Sequence, residues 1–308
     1  MDFAKVPYEC TTGSIATLDK NIYLFGGAYN SNSARNYSQR AYKVDISTGT
    51  YTRLTDIPTY FVSGAATAIG SFIYLFGSTS GNSFMAYRYN TTNNTYTQLT
   101  NMPTSGVKSA ITIGTNYIYL FAATGAYKYN TQTYTYTQLT NMPFSYTNRQ
   151  GAVAVGTDIY LFGSDGTGST TSYKYNTQTD TYTQLANIPF NFNGAISAIG
   201  NDIYLIQRDT NYYYVYIYKY NITTNTYTQL PGNLYTRQGS ILSTAISNYI
   251  YILISMTSEP SYKYGGITHS TYLTKKLQIE LTGANLYNNS TKLSLPAYYG
   301  DGTNWNSL

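Results

Sequence analysis

The chain has 308 residues, a formal net charge of +5 and only 10% charged residues, while 17% of the residues are aromatic and 39 are tyrosine. Disordered chains are poor in aromatic residues and rich in charge, so this composition excludes a disordered protein. The basic residues are dispersed and no apolar stretch approaches the ~18 residues of a membrane-spanning helix, so we predict neither a nucleic-acid-binding stripe nor a transmembrane segment.

The N-terminal segment contains a short strand-like motif. Phe3–Pro7 has the same spacing as the later segment Tyr227–Pro231, and no complete repeat precedes it. We therefore interpret it as an outer strand that belongs to the last repeat. Residues 1–5 lack the basic and apolar regions of a signal peptide, so we expect a protein that is made in the cytoplasm and either stays there or leaves without a cleaved leader.

One sequence motif recurs along the chain, and it begins with an apolar run that reads Ile-Tyr-Leu-Phe-Gly. Copies of this run begin, at intervals of 41 to 51 residues, at Ile22, Ile73, Ile118, Ile159, Ile203 and, in a degraded form, Ile250. A period of this length is typical of architectures in which each unit buries its apolar face by stacking on its neighbours. The sequence therefore predicts six stacked units.

Each unit contains four strand-like segments, as the one that ends at Pro103 illustrates. Its first segment, 64–70, is small and apolar, and its second, 73–77, is continuously apolar, as a strand buried on both faces would be. The segments 86–90 and 95–99 are half polar and are joined by an asparagine-rich turn. No window shows a sustained 3.6-residue apolar period, so we predict an all-β fold.

Four antiparallel strands in about 45 residues correspond to one blade of a β-propeller. Five units also contain an Asp or Asn that is followed six residues later by a tyrosine. These pairs are Asp45–Tyr51, Asn90–Tyr96, Asn130–Tyr136, Asn176–Tyr182 and Asn221–Tyr227. Together with the Gly26–Gly27 doublet and the recurrent Ile/Met-Pro ending, this pattern resembles the kelch repeat. The resemblance covers about residues 1–265 and implies a six-bladed kelch-like β-propeller with four antiparallel strands per blade.

The last unit is incomplete, because the period fails after residue 264. We predict that Phe3–Pro7 supplies its missing fourth strand and closes the ring, which would remove free sheet edges. Residues 271–277 are the alternative for that position. The predicted domains are a propeller over residues 1–266 and a C-terminal extension over residues 267–308.

The extension has features of an attachment or assembly segment. Alternating apolar residues and an aromatic-flanked Gly-Asp-Gly turn supply the candidate attachment residues, which are Leu277, Ile279, Leu281, Tyr298, Tyr299 and Trp305. The segment resembles the closing segments of bacteriophage and prophage fibre proteins. The resemblance implies a virion component that contacts other virion proteins through this segment. The alternative is an appendage that merely packs on the propeller.

Binding residues are expected in the loops at one mouth of the ring. In kelch propellers, the loops between strands two and three and between consecutive blades surround one mouth. Tyrosine provides rigid aromatic area and arginine a fork of donors, so both make good contact surfaces. The candidates are Tyr29, Arg35, Tyr37, Arg149, Arg208, Tyr212 and Arg237. The alternative is that these residues have only a structural role, in the turns or beside the central channel of the ring.

Groups for catalysis and metal binding are scarce in this sequence. His269 is the only histidine and Cys10 the only cysteine, so a multi-histidine metal site and an internal disulfide are excluded. We interpret Asp165 and Asp301, which lie in glycine-rich turns, as ordinary turn residues rather than calcium ligands. We expect no catalytic residue, no metal and no cofactor.

The function predicted from these observations is that of a non-enzymatic structural and binding protein in a bacteriophage particle: a fibre, tail or capsid-surface component. Its expected partners are other virion proteins, through the extension, and a host-surface glycan or protein, through the propeller mouth. Neither nucleic-acid binding nor membrane insertion is expected. The alternatives are a cytoplasmic kelch-type scaffold for protein interaction and, less favoured, a carbohydrate-active enzyme with scattered carboxylates.

Overall fold

The computed structural model describes residues 13–31, 34–61, 63–78, 84–123, 125–144, 148–164, 170–209, 214–231, 234–235, 241–254, 298–300 and 305–307. Within these ranges the chain consists of β-strands, turns and irregular segments. None of this described part forms a helix that is long and apolar enough to cross a membrane.

The strands are short and follow one another closely along the chain. In order they are β1 (Ser14–Leu18), β2 (Asn21–Phe25), β3 (Ala28–Ser31), β4 (Ala34–Tyr37), β5 (Ala41–Asp45), β6 (Tyr51–Arg53), β7 (Ser63–Ile69), β8 (Phe72–Ser78), β9 (Phe84–Asn90), β10 (Thr95–Gln98), β11 (Val107–Ile113), β12 (Tyr117–Ala122), β13 (Ala126–Asn130), β14 (Thr135–Gln138), β15 (Asn148–Val155), β16 (Asp158–Ser164), β17 (Thr170–Asn176), β18 (Thr181–Gln184), β19 (Gly194–Ile199), β20 (Asp202–Arg208), β21 (Tyr214–Asn221), β22 (Thr226–Gln229), β23 (Leu234–Tyr235), β24 (Ile241–Ile246), β25 (Tyr249–Ile254), β26 (Tyr298–Gly300) and β27 (Trp305–Ser307).

Five antiparallel sheets form the blades of a propeller, and each has a path of four consecutive strands. In order along the chain, blades 1 to 5 are β1-β2-β5-β6, β7-β8-β9-β10, β11-β12-β13-β14, β15-β16-β17-β18 and β19-β20-β21-β22. The strands β24 and β25 form a further, two-stranded sheet. The predicted propeller of four-stranded antiparallel blades is thus confirmed.

The first strands of the sheets form a closed inner ring. Each one contacts the first strand of the next sheet, and β24 contacts both β19 and β1. A hydrogen bond of 2.7 Å between the Oγ1 atoms of Thr17 and Thr244 joins β1 to β24 across this closure. The propeller is therefore closed at its inner strands.

The blade count differs from the prediction. The described residues contain five complete blades rather than six, because the last sheet has only the strands β24 and β25. The segments predicted to complete it, 261–264 and either Phe3–Pro7 or 271–277, lie outside the described residues. The six-blade count and the mode of closure stay predictions.

The core lies between neighbouring sheets, and each second strand contributes to two parts of it. In β2, Ile22 and Leu24 pack towards the β24–β25 sheet, whereas Tyr23 and Phe25 pack towards blade 2. All four side chains are buried. The second strand is continuously apolar because both of its faces are covered. Around the ring, this arrangement buries the recurrent Ile-Tyr-Leu-Phe run.

The Gly26–Gly27 doublet allows two connections of blade 1 to approach each other closely. A β-carbon on Gly26 would lie 2.1 Å from the carbonyl oxygen of Phe61, and the φ of Gly26 is +63°. The Gly27 amide donates a hydrogen bond of 2.8 Å to the same carbonyl. The doublet thus fastens the connection between blades 1 and 2 to the end of β2.

The sequence did not predict three small pairings. The long insertion of blade 1 contains a hairpin in which β3 pairs with β4, and β23 pairs with the beginning of β21. Near the C-terminus, β26 pairs with β27. The first two pairings lie in connections and the third lies in the extension, where length and pairing are not set by the repeat.

Candidate functional site

The propeller has two faces that differ in how their connections are built. Because the strands of each blade alternate in direction, the turns between strands 1 and 2 and between strands 3 and 4 lie on one face. We call this the tight-turn face. The connections between strands 2 and 3, and those between blades, lie on the opposite face, which we call the loop face.

A repeated hydrogen-bond arrangement, which we call the clasp, joins neighbouring blades near the tight-turn face. In blade 5, the Asn225 side-chain oxygen accepts hydrogen bonds from the Tyr220 hydroxyl at 2.7 Å and from the Ala186 amide of blade 4 at 2.8 Å. The hydroxyl of Tyr227 donates to the carbonyl of Ala186 at 3.2 Å. One turn residue and two tyrosines thereby fix the end of the preceding blade.

The same clasp occurs at two other junctions. It comprises Asn94, Tyr89, Tyr96 and Thr55 between blades 1 and 2, and Asp180, Tyr175, Tyr182 and Thr140 between blades 3 and 4. The six-residue Asn-to-Tyr spacing noted in the sequence therefore has a structural cause. Asn221, for example, accepts hydrogen bonds from amides of its own turn, while Tyr227 reaches the neighbouring blade.

Burial raises the pKa values of the tyrosine hydroxyls in the clasps. Desolvation raises the pKa of Tyr89 and of Tyr220 to about 12. The pKa of Tyr175 is raised as well, first by burial and then by its hydrogen bond to Asp180. A group that stays protonated in the neutral pH range donates its hydrogen bond throughout that range, so these hydroxyls act as structural donors.

Blade 3 departs from this arrangement. The turn position of Asn94, Asp180 and Asn225 is occupied by Tyr134, which keeps the positive φ, here +60°. Tyr134 cannot accept the hydrogen bond as an amide oxygen does, and the buried Tyr129 hydroxyl has no hydrogen-bond partner. Instead, the Arg88 guanidinium of blade 2 donates to the Tyr134 hydroxyl at 3.2 Å. The sequence analysis did not identify this exception.

The basic residues of the third strands also have different neighbours in different blades. Lys174 and Lys219 form ion pairs with Asp158 and Asp202, with N–O distances of 3.5 and 2.7 Å. In blades 2 and 3, the residues at the register positions of these two acids are Phe72 and Tyr117. There the cations lie over aromatic rings: Arg88 is 4.5 Å from the centre of Phe72, and Lys128 is 5.1 Å from that of Tyr117.

The predicted binding residues lie on the loop face or outside the described residues. Tyr37 ends β4 and Arg208 ends β20, and both are half-buried. The other candidates are placed as follows: Tyr29 in β3 pairs with Asn36, Arg35 in β4 pairs with Asn30, Arg149 lies in β15, and Tyr212 and Arg237 fall outside the described residues. Their role as a binding site stays a prediction.

Two exposed tyrosines of the loop face are not among the predicted binding residues. Tyr60, between blades 1 and 2, is 49% exposed, and Tyr214, at the start of β21, is 39% exposed. The Asp209 side chain accepts a hydrogen bond from the Tyr214 amide, and the Asp209 amide donates to the Tyr214 carbonyl. The sequence signal that could have identified them is an aromatic residue in a connection, outside the repeated motif.

The candidate attachment residues are only partly within the described part of the chain. Tyr298 and Tyr299 lie in β26 and pair with Ser307 and Asn306, while Trp305 in β27 pairs with Gly300. Leu277, Ile279 and Leu281 lie outside the described residues. The hairpin brings the three aromatic positions into two adjacent strands.

No metal centre is evident over the described ranges. No group of three or more His, Cys, Asp or Glu residues there could hold a metal ion together.

Comparison with known proteins supports the class of fold. No protein-family model matches the sequence, and no curated protein matches it. Among solved structures, YjhT superposes with a TM-score of 0.68 and 11% sequence identity, over 92% of this chain and 98% of that one. At this identity the similarity shows a shared fold alone. The protein is thus a β-propeller, and its kelch relationship and its resemblance to phage proteins stay predictions.

Proposed function

We propose that this protein is a non-enzymatic binding and structural component of a bacteriophage particle. Its propeller presents the loop face to a host-surface glycan or protein, and residues 267–308 attach it to other virion proteins. We further propose that it has six blades and that Phe3–Pro7 completes the last one.

The observation that carries the binding proposal is the difference between the two faces. On the tight-turn face, strands 3 and 4 are joined by the same four-residue turn in blades 2 to 5. On the loop face, the connection between strands 2 and 3 spans residues 26–40 in blade 1 but only 123–125 in blade 3. A rigid scaffold that carries variable loops is a common arrangement for binding.

The chemistry of the loop face fits a contact surface. Tyr60 and Tyr214 expose aromatic rings on this face, and Arg208 ends β20 on the same face. Tyrosine and arginine are enriched among the residues that dominate binding energies at protein interfaces. The low charge content of the chain and the resemblance of its extension to the closing segments of phage fibre proteins motivate the assignment to a virion.

Binding to host cells tests the role of the loop face. Fluorescently labelled protein should bind the bacterium that carries the phage, and the double variant Tyr60→Ser/Tyr214→Ser should bind about tenfold more weakly. Gln178→Ala, an exposed position on the tight-turn face, is the matched control and should bind as the parent does. Equal binding by the double variant and the parent would contradict the proposal.

Particle assembly tests the attachment role separately. A chain that ends at residue 266 should fold but be missing from purified particles. Incorporation of that shortened chain at the parental level would refute attachment through the extension and leave the binding role of the loop face untouched.

A further inference from the structure

The tight-turn face of blades 2 and 3 differs from that of blades 4 and 5 at two adjacent places. Tyr134 replaces the clasp residue, and Phe72 and Tyr117 replace the acids that pair with lysine in blades 4 and 5. Natural sequences depart from such local rules mainly at functional sites. These departures occur together, on one face and in neighbouring blades.

Placing Tyr134 at this position has a cost to folding. The buried Tyr129 hydroxyl lacks a hydrogen-bond partner, and a buried polar group without a partner destabilises the folded state. A bulky side chain at a φ of +60° adds strain, since asparagine and glycine tolerate this region far better. Asparagine at this position would remove both costs, as it does in blades 2 and 5.

We call this region the patch; it comprises Phe72, Arg88, Tyr117, Lys128 and Tyr134. It combines exposed aromatic surface with cations that form no ion pair. Tyr134 is 41% exposed and Tyr117 is 39% exposed. Arg88 and Lys128 make no salt bridge with any carboxylate in the described structure. Arg88 lies between Phe72 and Tyr134, at 4.5 and 5.9 Å from the ring centres. Its charge is held in place by rings but is not neutralised.

These features favour one class of ligand. The apolar face of a sugar ring packs well against an exposed tyrosine ring, whose π-electrons attract its C–H bonds. A cation without a carboxylate partner is available to an anionic group, and the arginine fork suits a carboxylate or a sulfate. A nucleic acid would require more cations along a track.

We propose that the tight-turn face of blades 2 and 3 binds an anionic saccharide. One sugar ring packs on Tyr134 with its acidic group on Arg88, and a second sugar meets the Tyr117–Lys128 pair of blade 3. This site lies on the face opposite to the one proposed for host binding and does not depend on that proposal.

Restoring the repeat is the sharpest test, because the variants are expected to keep or improve the fold. Tyr134→Asn re-creates the clasp residue of blades 2 and 5, and Tyr117→Asp re-creates the acid that pairs with lysine in blades 4 and 5. The full chain is titrated with dextran sulfate, polygalacturonate, neutral dextran and polyglutamate. Lys108→Gln, an exposed cation at the start of β11 on the loop face, is the control for net charge.

The parent should bind one or both charged polysaccharides, and each repeat-restoring variant should raise the Kd about tenfold or more. Lys108→Gln should bind like the parent, and Tyr134→Asn should unfold at the parental temperature or above. Whether the carboxylated or the sulfated polymer binds more tightly identifies the acidic group.

Four results would overturn the proposal: no binding of either charged polysaccharide, equally tight binding of neutral dextran, equally tight binding of polyglutamate, or undiminished binding by both repeat-restoring variants. The last result would mean that the basic protein adsorbs polyanions nonspecifically.

Discussion

Single turn residues determine how the blades are joined. Asn94, Asp180 and Asn225 each adopt a positive φ and accept hydrogen bonds from two blades, whereas Tyr134 keeps the backbone geometry without the hydrogen bonds of the clasp. An amide or carboxylate oxygen can accept several donors at once, and asparagine and aspartate tolerate left-handed geometry. These two properties together explain the residue types at this position.

Removing a clasp should therefore destabilise the propeller. Asn225→Gly keeps the permissive backbone but leaves the buried Tyr220 hydroxyl without its acceptor, so the free energy of unfolding should fall by about 1–3 kcal/mol. Urea denaturation followed by circular dichroism measures this change. Tyr134→Gly, at the equivalent turn position, removes no clasp and relieves strain, so its effect should be much smaller. Equal losses in the two variants would show that the clasp contributes nothing.

At the scale of elements, the continuously apolar second strand sets the packing of each blade, and a glycine doublet adds a close contact in blade 1. Alternate side chains of β2 fill the cores on either side of the sheet, so one strand links three consecutive sheets. At its end, Gly26 lies against the backbone of the connection that follows β6. The strand and the connection therefore constrain each other.

A pair of glycine substitutions distinguishes the loss of stability caused by steric contact from the loss caused by backbone strain. Gly26 and Gly70 have φ values of +63° and +57°, but a β-carbon on Gly70 would have no neighbour within 4 Å. Both alanine variants incur strain of about 1 kcal/mol, and Gly26→Ala should lose roughly a further 1–3 kcal/mol by overpacking against Phe61. Thermal denaturation compares them. If the two variants melt at the same temperature, the contact with Phe61 does not matter.

At the scale of the whole molecule, the buried tyrosines make stability sensitive to alkaline pH. Tyrosine in the unfolded chain ionises near pH 10, whereas burial raises the pKa of Tyr89 and of Tyr220 to about 12 in the folded protein. Above pH 10 the folded state therefore binds more protons than the unfolded state, and stability falls as the pH rises.

We expect the urea midpoint to be nearly constant up to about pH 9 and to fall steeply between about pH 10 and 12. Tyrosinate absorbance should show the exposed tyrosines titrating first and the buried ones only as the protein unfolds. A midpoint unchanged up to about pH 11, with all tyrosines ionising together near pH 10, would contradict this.

Ring closure gives a second prediction at this scale. The inner strands β1 and β24 meet, while β25 pairs only with β24 among the described strands. Pairing of Phe3–Pro7 into this last blade would remove a free edge, so deleting residues 1–7 should lower the melting temperature by several degrees. Deleting 271–277 instead is the matched comparison. A loss caused only by the second deletion would assign closure to that segment.

The sequence predicted the regular parts of this fold and few of its particular contacts. The strands of the unit around Ile73 were placed within one or two residues, because apolar periodicity and turn residues are local signals. The hairpin β3–β4 and the Arg88–Tyr134 contact were missed. The first lies in an insertion without a repeat, and the second joins residues of different blades.

The sequence by itself determined the propeller class, the four-stranded blade and the positions of the turns, since each depends on residues within one repeat. Only the tertiary structure decided which residues meet across blades: the clasps of Asn94, Asp180 and Asn225, and the patch around Tyr134 that replaces one of them. Such contacts join residues about 40 positions apart, and their partners are fixed only when the ring brings neighbouring blades together.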